Sequence, residues 1–421
     1  MNRSAELYEI SKGLTPGGVS SPVRAFAPNP LFIAEGHGSK VKDVDGREYI
    51  DLCMAYGPLI TGHACARVMD AAAAQMRRGT VYGAPSEPEL ELIKRIVAEV
   101  PSAEMVRLGC SGTEATMHAI RVARGVTGRD DIIKIRGGFH GAHDAALVNA
   151  GSGSAGGTPS SKGVLADVAK HTFTAEYNDI QSFSDIMDKH DIACIIVEPV
   201  MGNVGVVTPK KGFLEDLRKL ATDHGTVLIF DEVITGFRVS SGGAQKRFGV
   251  TPDMTTMAKI IGGGFAGGAF MGKKEIMQNV APQGGIYVAG TFAGNPVSAA
   301  AGLAQIDLMC SDGNYAKVER RTEALVGCIR DCMQDSGVTG CVNSIASMFS
   351  LFFGVDEVTN GTQAMKADRE MFSRMFGFML DRGVYLPPSA LEVDFMSLAH
   401  SDDDVRVLSE RFKEFFGSVK N

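Results

Sequence analysis

The sequence contains no tryptophan and no stretch of about 18 consecutive apolar residues. Without such a stretch, no membrane-spanning helix is predicted. The first ten residues also lack the apolar core of a secretory signal, so no signal peptide is predicted at this end of the chain.

Paired metal-binding motifs are absent as well. None of the eight cysteines forms a CxxC pair, and none of the nine histidines belongs to an HExxH motif. The histidine pattern argues against a zinc hydrolase, and we predict no metal site. Scattered cysteines in a long chain are typical of reduced thiols, which favours a cytoplasmic location.

Basic residues are not in excess, because 42 lysines and arginines face 49 acidic residues for a net charge of −7. This balance argues against a nucleic-acid-binding protein. The chain has 421 residues, 44% hydrophobic and 22% charged, which is typical of a folded globular protein. Glycine is abundant, with 50 residues, but it has no three-residue period, so collagen is excluded.

Helical and strand patterns alternate between residues 64 and 335, which predicts an α/β fold. Short, mainly apolar strand-like runs at 132–135, 192–197 and 227–230 predict a mostly parallel sheet covered by helices on both faces. The helical stretches are 64–78, 87–100, 112–125, 212–224 and 295–310.

The pattern changes after residue 335, with a strand at 349–353, a helix at 364–382 and a last helix that opens at Ser401. We predict three parts: an N-terminal segment (1–60), a large domain (61–315) and a C-terminal region (316–421). The first and last parts together form a smaller α+β domain.

Two glycine clusters imitate nucleotide-binding motifs. Residues 151–156 match GxGxxG, but the sequence that follows cannot open the helix that a dinucleotide site needs, so we expect a mobile loop. Residues 267–273 resemble a Walker A loop, but Lys274 stands where serine or threonine would bind magnesium.

The Ser-Gly-Thr sequence at 111–113 lies between a strand pattern and a helical run. Backbone N–H groups, two hydroxyls and the positive end of the helix would suit a phosphate there. An ordinary helix N-cap explains the same residues.

Asp231 and Glu232 end an apolar strand, where α/β folds bind ligands. A metal site, an acid–base pair and a salt bridge are all compatible with them. Lys259 precedes a glycine run and is either a surface charge or an amine held near a ligand.

Together, an amine, a buried aspartate and a phosphate-binding turn are what pyridoxal 5′-phosphate requires. Lys259 would form the Schiff base and carry protons, and Asp231 would pair with the ring nitrogen. Ser111, Gly112 and Thr113 would hold the phosphate.

A series of motifs in one order along nearly the whole chain resembles the glutamate-1-semialdehyde 2,1-aminomutase family, within the class III, fold type I pyridoxal-phosphate enzymes. The most specific of them are the first motif, at 16–26, and the sequence Thr-Gly-Phe-Arg at 235–238, which ends the 230–238 motif. These motifs are at 16–26, 56–58, 111–115, 138–143, 198–203, 230–238, 259–264, 289–296 and 397–400.

The resemblance implies further cofactor contacts. Val233 would pack on the ring and Asn203 would lie near its 3-hydroxyl. Phe139 would stack on the ring, and His140 follows it in the chain. Thr291 would reach the phosphate of the neighbouring subunit, which implies a homodimer.

The resemblance also implies substrate contacts. Arg24 would bind the substrate carboxylate, with Ser20 nearby, and Ser152 would lie in a gating loop. Tyr56 stands where many members have tryptophan, and Phe139 stands where many have tyrosine.

The implied reaction converts (S)-4-amino-5-oxopentanoate into 5-aminolevulinate through pyridoxamine 5′-phosphate and 4,5-diaminovalerate, in tetrapyrrole (porphyrin) biosynthesis. The resemblance also raises the hypothesis that substrate is channelled from the upstream tRNA-dependent reductase. The alternative is a class III ω-aminotransferase or an amino-acid racemase on the same scaffold.

One residue separates the two functions. A transaminase that uses 2-oxoglutarate usually binds its second carboxylate with a late arginine. The comparable stretch here, 385–392, contains no arginine, and by resemblance Glu392 lies at that place. A carboxylate would repel an α-carboxylate, so a substrate with a single carboxylate fits better.

Overall fold

The computed structural model describes residues 2–150, 160–311 and 313–419. Ser152 and the GxGxxG cluster therefore lie outside the described residues. Within these ranges, no helix is both long and apolar enough to cross a membrane.

Helices occur along the whole chain. They are α1 (Arg3–Lys12), α2 (Ala66–Arg78), α3 (Glu87–Glu99), α4 (Gly112–Thr127), α5 (Ala166–Ala169), α6 (Ile180–Met187), α7 (Phe213–Asp223), α8 (Gly243–Phe248), α9 (Lys274–Met277), α10 (Pro296–Met309), α11 (Asn314–Ser336), α12 (Gly361–Ala364), α13 (Arg369–Asp381) and α14 (Asp402–Ser418).

The strands form three sheets. They are β1 (Ile33–His37), β2 (Lys40–Asp43), β3 (Glu48–Asp51), β4 (Met105–Gly109), β5 (Asp131–Ile135), β6 (Thr172–Ala175), β7 (Ile192–Val197), β8 (Val227–Asp231), β9 (Met254–Ala258), β10 (Gly268–Gly272), β11 (Gly340–Ile345), β12 (Met348–Phe353), β13 (Val384–Tyr385) and β14 (Asp394–Phe395).

The largest sheet has seven strands in the order β4-β10-β9-β8-β7-β5-β6. Strands β9, β8, β7, β5 and β6 are parallel, and β10 is antiparallel to both of its neighbours. Strand β4 therefore runs in the same direction as β9. The Walker-like cluster forms β10, a fully buried strand rather than a phosphate-binding loop.

Both faces of this sheet are buried, as the mainly apolar runs predict. On β7, Ile195 and Val197 pack into one core with α6 and α7, while Cys194 and Ile196 pack against α4 on the other face. The prediction of a mostly parallel sheet covered by helices is therefore confirmed.

A second core joins the two ends of the chain. Ile50 and Leu52, in and directly after β3, pack with residues of α11, α13 and α14. Strand β13 pairs in parallel with β3, and a three-stranded sheet β11-β12-β14 lies in the same region.

The predicted boundary at 315/316 falls in the first turn of α11, where Tyr315 contacts the core of the large sheet and Val318 contacts the second core. The three domain limits remain a prediction.

The predicted start of one helix, 364–382, is wrong. The structure has a short helix α12 and a separate helix α13 in its place. The Asp368 carboxylate accepts hydrogen bonds from the N–H groups of Glu370 and Met371 at 2.9 and 3.0 Å. This N-cap starts α13 at Arg369, because a capping aspartate satisfies N–H groups that have no partner within the helix.

Candidate active site

The carboxyl ends of the parallel strands bring the candidate residues together. Asp231 is the last residue of β8, Lys259 follows β9, and Ser111 follows β4. Glu198 directly follows β7, and Phe139 lies beyond the end of β5. Ligands of α/β folds bind at this edge of the sheet.

A cavity of about 740 Å³ opens there. This volume is within the range of sites for small molecules and cofactors. The predicted site residues that line it are Tyr56, Ser111, Gly112, Thr113, Phe139, Asn203, Asp231, Val233, Lys259 and Glu392.

Lys259 carries an amine into this cavity. Its backbone is left-handed, with φ of 50°, and its Nζ donates a hydrogen bond to the carbonyl oxygen of Tyr56 at 2.7 Å. Burial lowers the pKa of Lys259, because the charged amine loses solvation. The surface-charge interpretation of this lysine is therefore excluded.

Asp231 is held in one orientation at the floor of the cavity. Its Oδ2 lies 2.7 Å from Nδ1 of His140, and its Oδ1 accepts hydrogen bonds from the Val233 N–H and the Thr256 hydroxyl at 3.1 and 3.2 Å. His140 is buried, and its Nε2 has no hydrogen-bond partner among the described residues. The histidine therefore serves to orient the carboxylate.

The turn at 111–113 begins helix α4, so the N-cap interpretation is confirmed, while the phosphate interpretation stays a prediction. The Ser111 hydroxyl caps the helix by accepting the N–H of Glu114 at 3.1 Å, yet all three residues of the turn also line the cavity. A Cβ on Gly112 would lie 3.1 Å from both methyl groups of Val233. Glycine therefore permits the close approach of the helix start to Val233.

Sequence reasoning assigned no role to two buried charged residues at the site, Glu198 in the cavity wall and Lys134 beneath it. Glu198 accepts the N–H of Phe139 at 2.9 Å and the N–H of Gly202 at 2.7 Å. Lys134 donates to the carbonyl oxygens of Gly138 and Val148, both at 2.8 Å. These bonds fix the segments that carry Phe139 and Asn203.

Each of these residues pays a solvation penalty for its place. Burial raises the pKa of Glu198 and lowers the pKa of Lys134 to about 7. Both positions carry a detectable signal in the sequence. Glu198 directly follows an unbroken apolar strand, and Lys134 interrupts one.

Besides His140, which bonds to Asp231, three predicted residues within the described ranges do not line the cavity of this chain. Ser20 and Arg24 are exposed, and Val23 lines the cavity instead, because the 3₁₀ turn Pro22–Arg24 directs it inward. The Tyr56 hydroxyl donates to the Val23 carbonyl oxygen at 2.6 Å. Thr291 is exposed outside the cavity. The binding roles of Ser20, Arg24 and Thr291 stay predictions.

Comparison with known proteins decides the family. The profile of the family described as Aminotransferase class-III matches residues 23–414. The chain belongs to the class-III aminotransferase family.

The curated relatives and solved structures are similar over nearly the full length. A glutamate-1-semialdehyde 2,1-aminomutase of Archaeoglobus fulgidus is 50% identical and covers 98% of this chain and 99% of the relative. An omega-transaminase structure from Sphaerobacter thermophilus superposes with a TM-score of 0.94 at 31% identity, covering 100% of this chain and 98% of that one.

A third neighbour contains a cofactor. It is a lysine-to-alanine variant of a glutamate-1-semialdehyde-aminomutase from Pseudomonas aeruginosa PAO1, in complex with PMP. Its TM-score is 0.89 at 25% identity, covering 99% of this chain and 94% of that one. The predicted fold type I architecture of this class-III chain is therefore confirmed.

The lowered pKa of Lys259 gives a first prediction. In ligand-free protein, a small amine-acylating reagent should modify Lys259 at lower pH than it modifies the exposed Lys366, because only the neutral amine reacts. Peptide mass spectrometry across a pH series measures both lysines in one sample. Identical pH profiles for the two would contradict a lowered pKa of Lys259.

Proposed function

We propose that this class-III chain is a glutamate-1-semialdehyde 2,1-aminomutase. It would isomerise (S)-4-amino-5-oxopentanoate to 5-aminolevulinate in tetrapyrrole biosynthesis. The observation that carries the proposal is the presence of Glu392, rather than an arginine, in the wall of the cavity that holds the Lys259 amine. The Archaeoglobus fulgidus relative, 50% identical over nearly the whole chain, supports the same function.

The cavity fits pyridoxal 5′-phosphate and its amine form, pyridoxamine 5′-phosphate. Lys259 would hold the aldehyde carbon, Asp231 the ring nitrogen, and the start of α4 the phosphate. Phe139 and Val233 offer apolar surfaces for the ring, and Asn203 offers a polar side chain. When bound, the cofactor supplies an electron sink for bonds to the substrate's reacting carbon.

Lys259 would move the protons. A general base works best when its pKa lies near the working pH, and burial shifts the pKa of this lysine in that direction. The Tyr56 carbonyl oxygen keeps the amine in the cavity. One amine can therefore remove a proton at one substrate carbon and return it at the neighbouring carbon.

Asp231 would keep a proton on the ring nitrogen, which makes the ring a stronger electron sink. The hydrogen bond from His140 and the backbone N–H of Val233 orient the carboxylate for this task. The carboxylate is also largely buried, with 4% of the residue exposed.

Glu392 would select the substrate. This half-buried carboxylate in the cavity wall would repel the α-carboxylate of an amino-acid donor, and like charges in contact cost several kcal/mol. An aminomutase needs no such donor, because its substrate brings its own amine.

The proposal also includes residues that do not line the described cavity and a contribution from a second copy of the chain. Arg24, Ser20 and the Ser152 loop would bind and retain the substrate, and Thr291 would complete the phosphate site of a second copy in a homodimer. We further propose a cytoplasmic location. Channelling from the tRNA-dependent reductase stays a prediction.

A class III ω-aminotransferase is the second candidate, favoured by the TM-score of 0.94 to the Sphaerobacter thermophilus structure. It requires an external donor and acceptor, whereas the aminomutase requires neither. An amino-acid racemase would likewise give no 5-aminolevulinate.

Incubation of the purified, cofactor-loaded protein with glutamate 1-semialdehyde alone tests the proposal. We expect 5-aminolevulinate to form over many turnovers without any amino donor, measured by mass spectrometry and corrected for the reaction without enzyme. Product that appears only after a donor is added would establish the ω-aminotransferase instead.

Replacement of the cavity carboxylate tests substrate selection. Glu392→Gln should raise the half-reaction rate with an α-amino acid by about tenfold or more, because it removes a like-charge contact. The exposed Glu410→Gln is the matched control and should leave that rate unchanged. Single-turnover absorbance with L-alanine measures both variants, and equal rates in them would refute a selective role of Glu392.

A further inference from the structure

A left-handed turn lies beside the lysine. Met54, Ala55 and Tyr56 have φ of 44°, 55° and 63°, and Gly57 has φ of 118°. L-residues disfavour this conformation, so a run of them persists only where the surroundings hold it. Asp51 holds the start of the turn, because its Oδ1 accepts the N–H groups of Cys53 and Met54 at 2.8 and 3.0 Å.

The end of the turn contacts Lys259 directly. The Tyr56 carbonyl oxygen accepts the bond from Nζ at 2.7 Å. A Cβ on Gly57 would lie 3.4 Å from Cδ of Lys259, so the glycine packs against the aliphatic part of the lysine. The place of the turn therefore determines the place of the amine.

Arg238 holds this end of the turn from outside the cavity. Its side chain is buried, with 1% of the residue exposed. Nη2 donates to the Gly57 carbonyl oxygen, and Nη1 donates to the Ser347 hydroxyl at 2.9 Å. The guanidinium carbon lies 4.7 Å from the ring centroid of Phe395, a cation–π contact.

The charge of Arg238 is unusual for its burial. Among the described residues, no aspartate or glutamate forms an ion pair with it, and its Nε lacks a hydrogen-bond partner. Burial lowers its pKa to about 9, with a smaller opposing effect from Tyr315. The group is therefore still a cation at neutral pH, and no carboxylate of the described residues lies within ion-pair distance of it.

Besides the loss of solvation, four charged groups affect the pKa of the Lys259 amine. The carboxylates Glu392, Glu198 and Asp231 each raise the pKa of Lys259, whereas Arg238 lowers it. Arg238 is thus the cation that opposes three carboxylates around one amine.

We propose that Arg238 is a positioning residue for Lys259, which holds the 54–57 turn against the lysine and places an unpaired positive charge near its amine. The inference rests on the proposed role of Lys259 in cofactor binding. Arg238 is the last residue of the 230–238 motif, and the proposed reaction by itself gives this residue no role.

Two variants, Arg238→Met and Arg238→Lys, distinguish the effect of the Arg238 charge from its effect on the position of the turn. The exposed Arg406→Met is the control. The readout is the pH midpoint of the visible absorption of the protein loaded with pyridoxal 5′-phosphate. Arg238→Met should move the midpoint to higher pH, because the lost cation would disfavour the protonated form of the Lys259 nitrogen that is joined to the cofactor. Arg238→Lys keeps a charge and should stay near wild type, as should Arg406→Met.

The turnover rate reports the geometry. Both variants of Arg238 should lower kcat by about tenfold or more, because neither can bridge Gly57 and Ser347 as the planar guanidinium does. If Arg238→Met does not fold, Ser347→Ala takes its place: it keeps the charge, so kcat should fall while the midpoint stays unchanged.

A normal visible band with the same midpoint in Arg238→Met as in wild type would overturn the inference. Equal midpoint shifts in the methionine and lysine variants would do so too, as would an unchanged kcat in Ser347→Ala and Arg238→Lys. The absence of any visible band in the wild-type protein is a different result, since it contradicts the proposed function and not the role of Arg238.

Discussion

The hydrogen bond between the Lys259 amine and the Tyr56 carbonyl oxygen is the contact on which the rest of the site depends. It joins a residue at the end of the large sheet to a turn near the N-terminus, so the amine lies where the two parts of the fold meet. Burial there lowers the pKa of the lysine, which gives a nucleophile and a proton carrier from one side chain.

A layer of buried polar groups keeps this arrangement rigid. Glu198 and Lys134 bond to backbone groups of the segments that carry Phe139 and Asn203, and His140 orients the catalytic-site aspartate. Each buried charge costs solvation and is retained because backbone partners satisfy it. A site organised in this way needs little rearrangement to accept a flat, phosphorylated ring.

Much of the fold and the centre of the site could be predicted from sequence. Apolar runs predict the strands of the buried sheet, and ligands bind at the carboxyl ends of such strands. Asp231 was found in this way, and Lys259 was found from the glycine run that follows it. The helix start at Arg369 was missed, since a cap at Asp368 competes with apolar periodicity. The bond from Arg238 to Gly57 was also beyond sequence reasoning, because it joins residues that only the tertiary fold brings together.

Among the described residues, two lysines with a lowered pKa lie near the site, Lys259 in the cavity wall and the buried Lys134 beneath it, and this makes one measurement decisive. The cofactor-loaded protein is reduced with borohydride, digested, and mapped by peptide mass spectrometry. We expect a reduced pyridoxyl adduct on Lys259 and none in Lys259→Ala. An adduct on Lys134, or no adduct on any lysine of a protein that binds the cofactor, would contradict it.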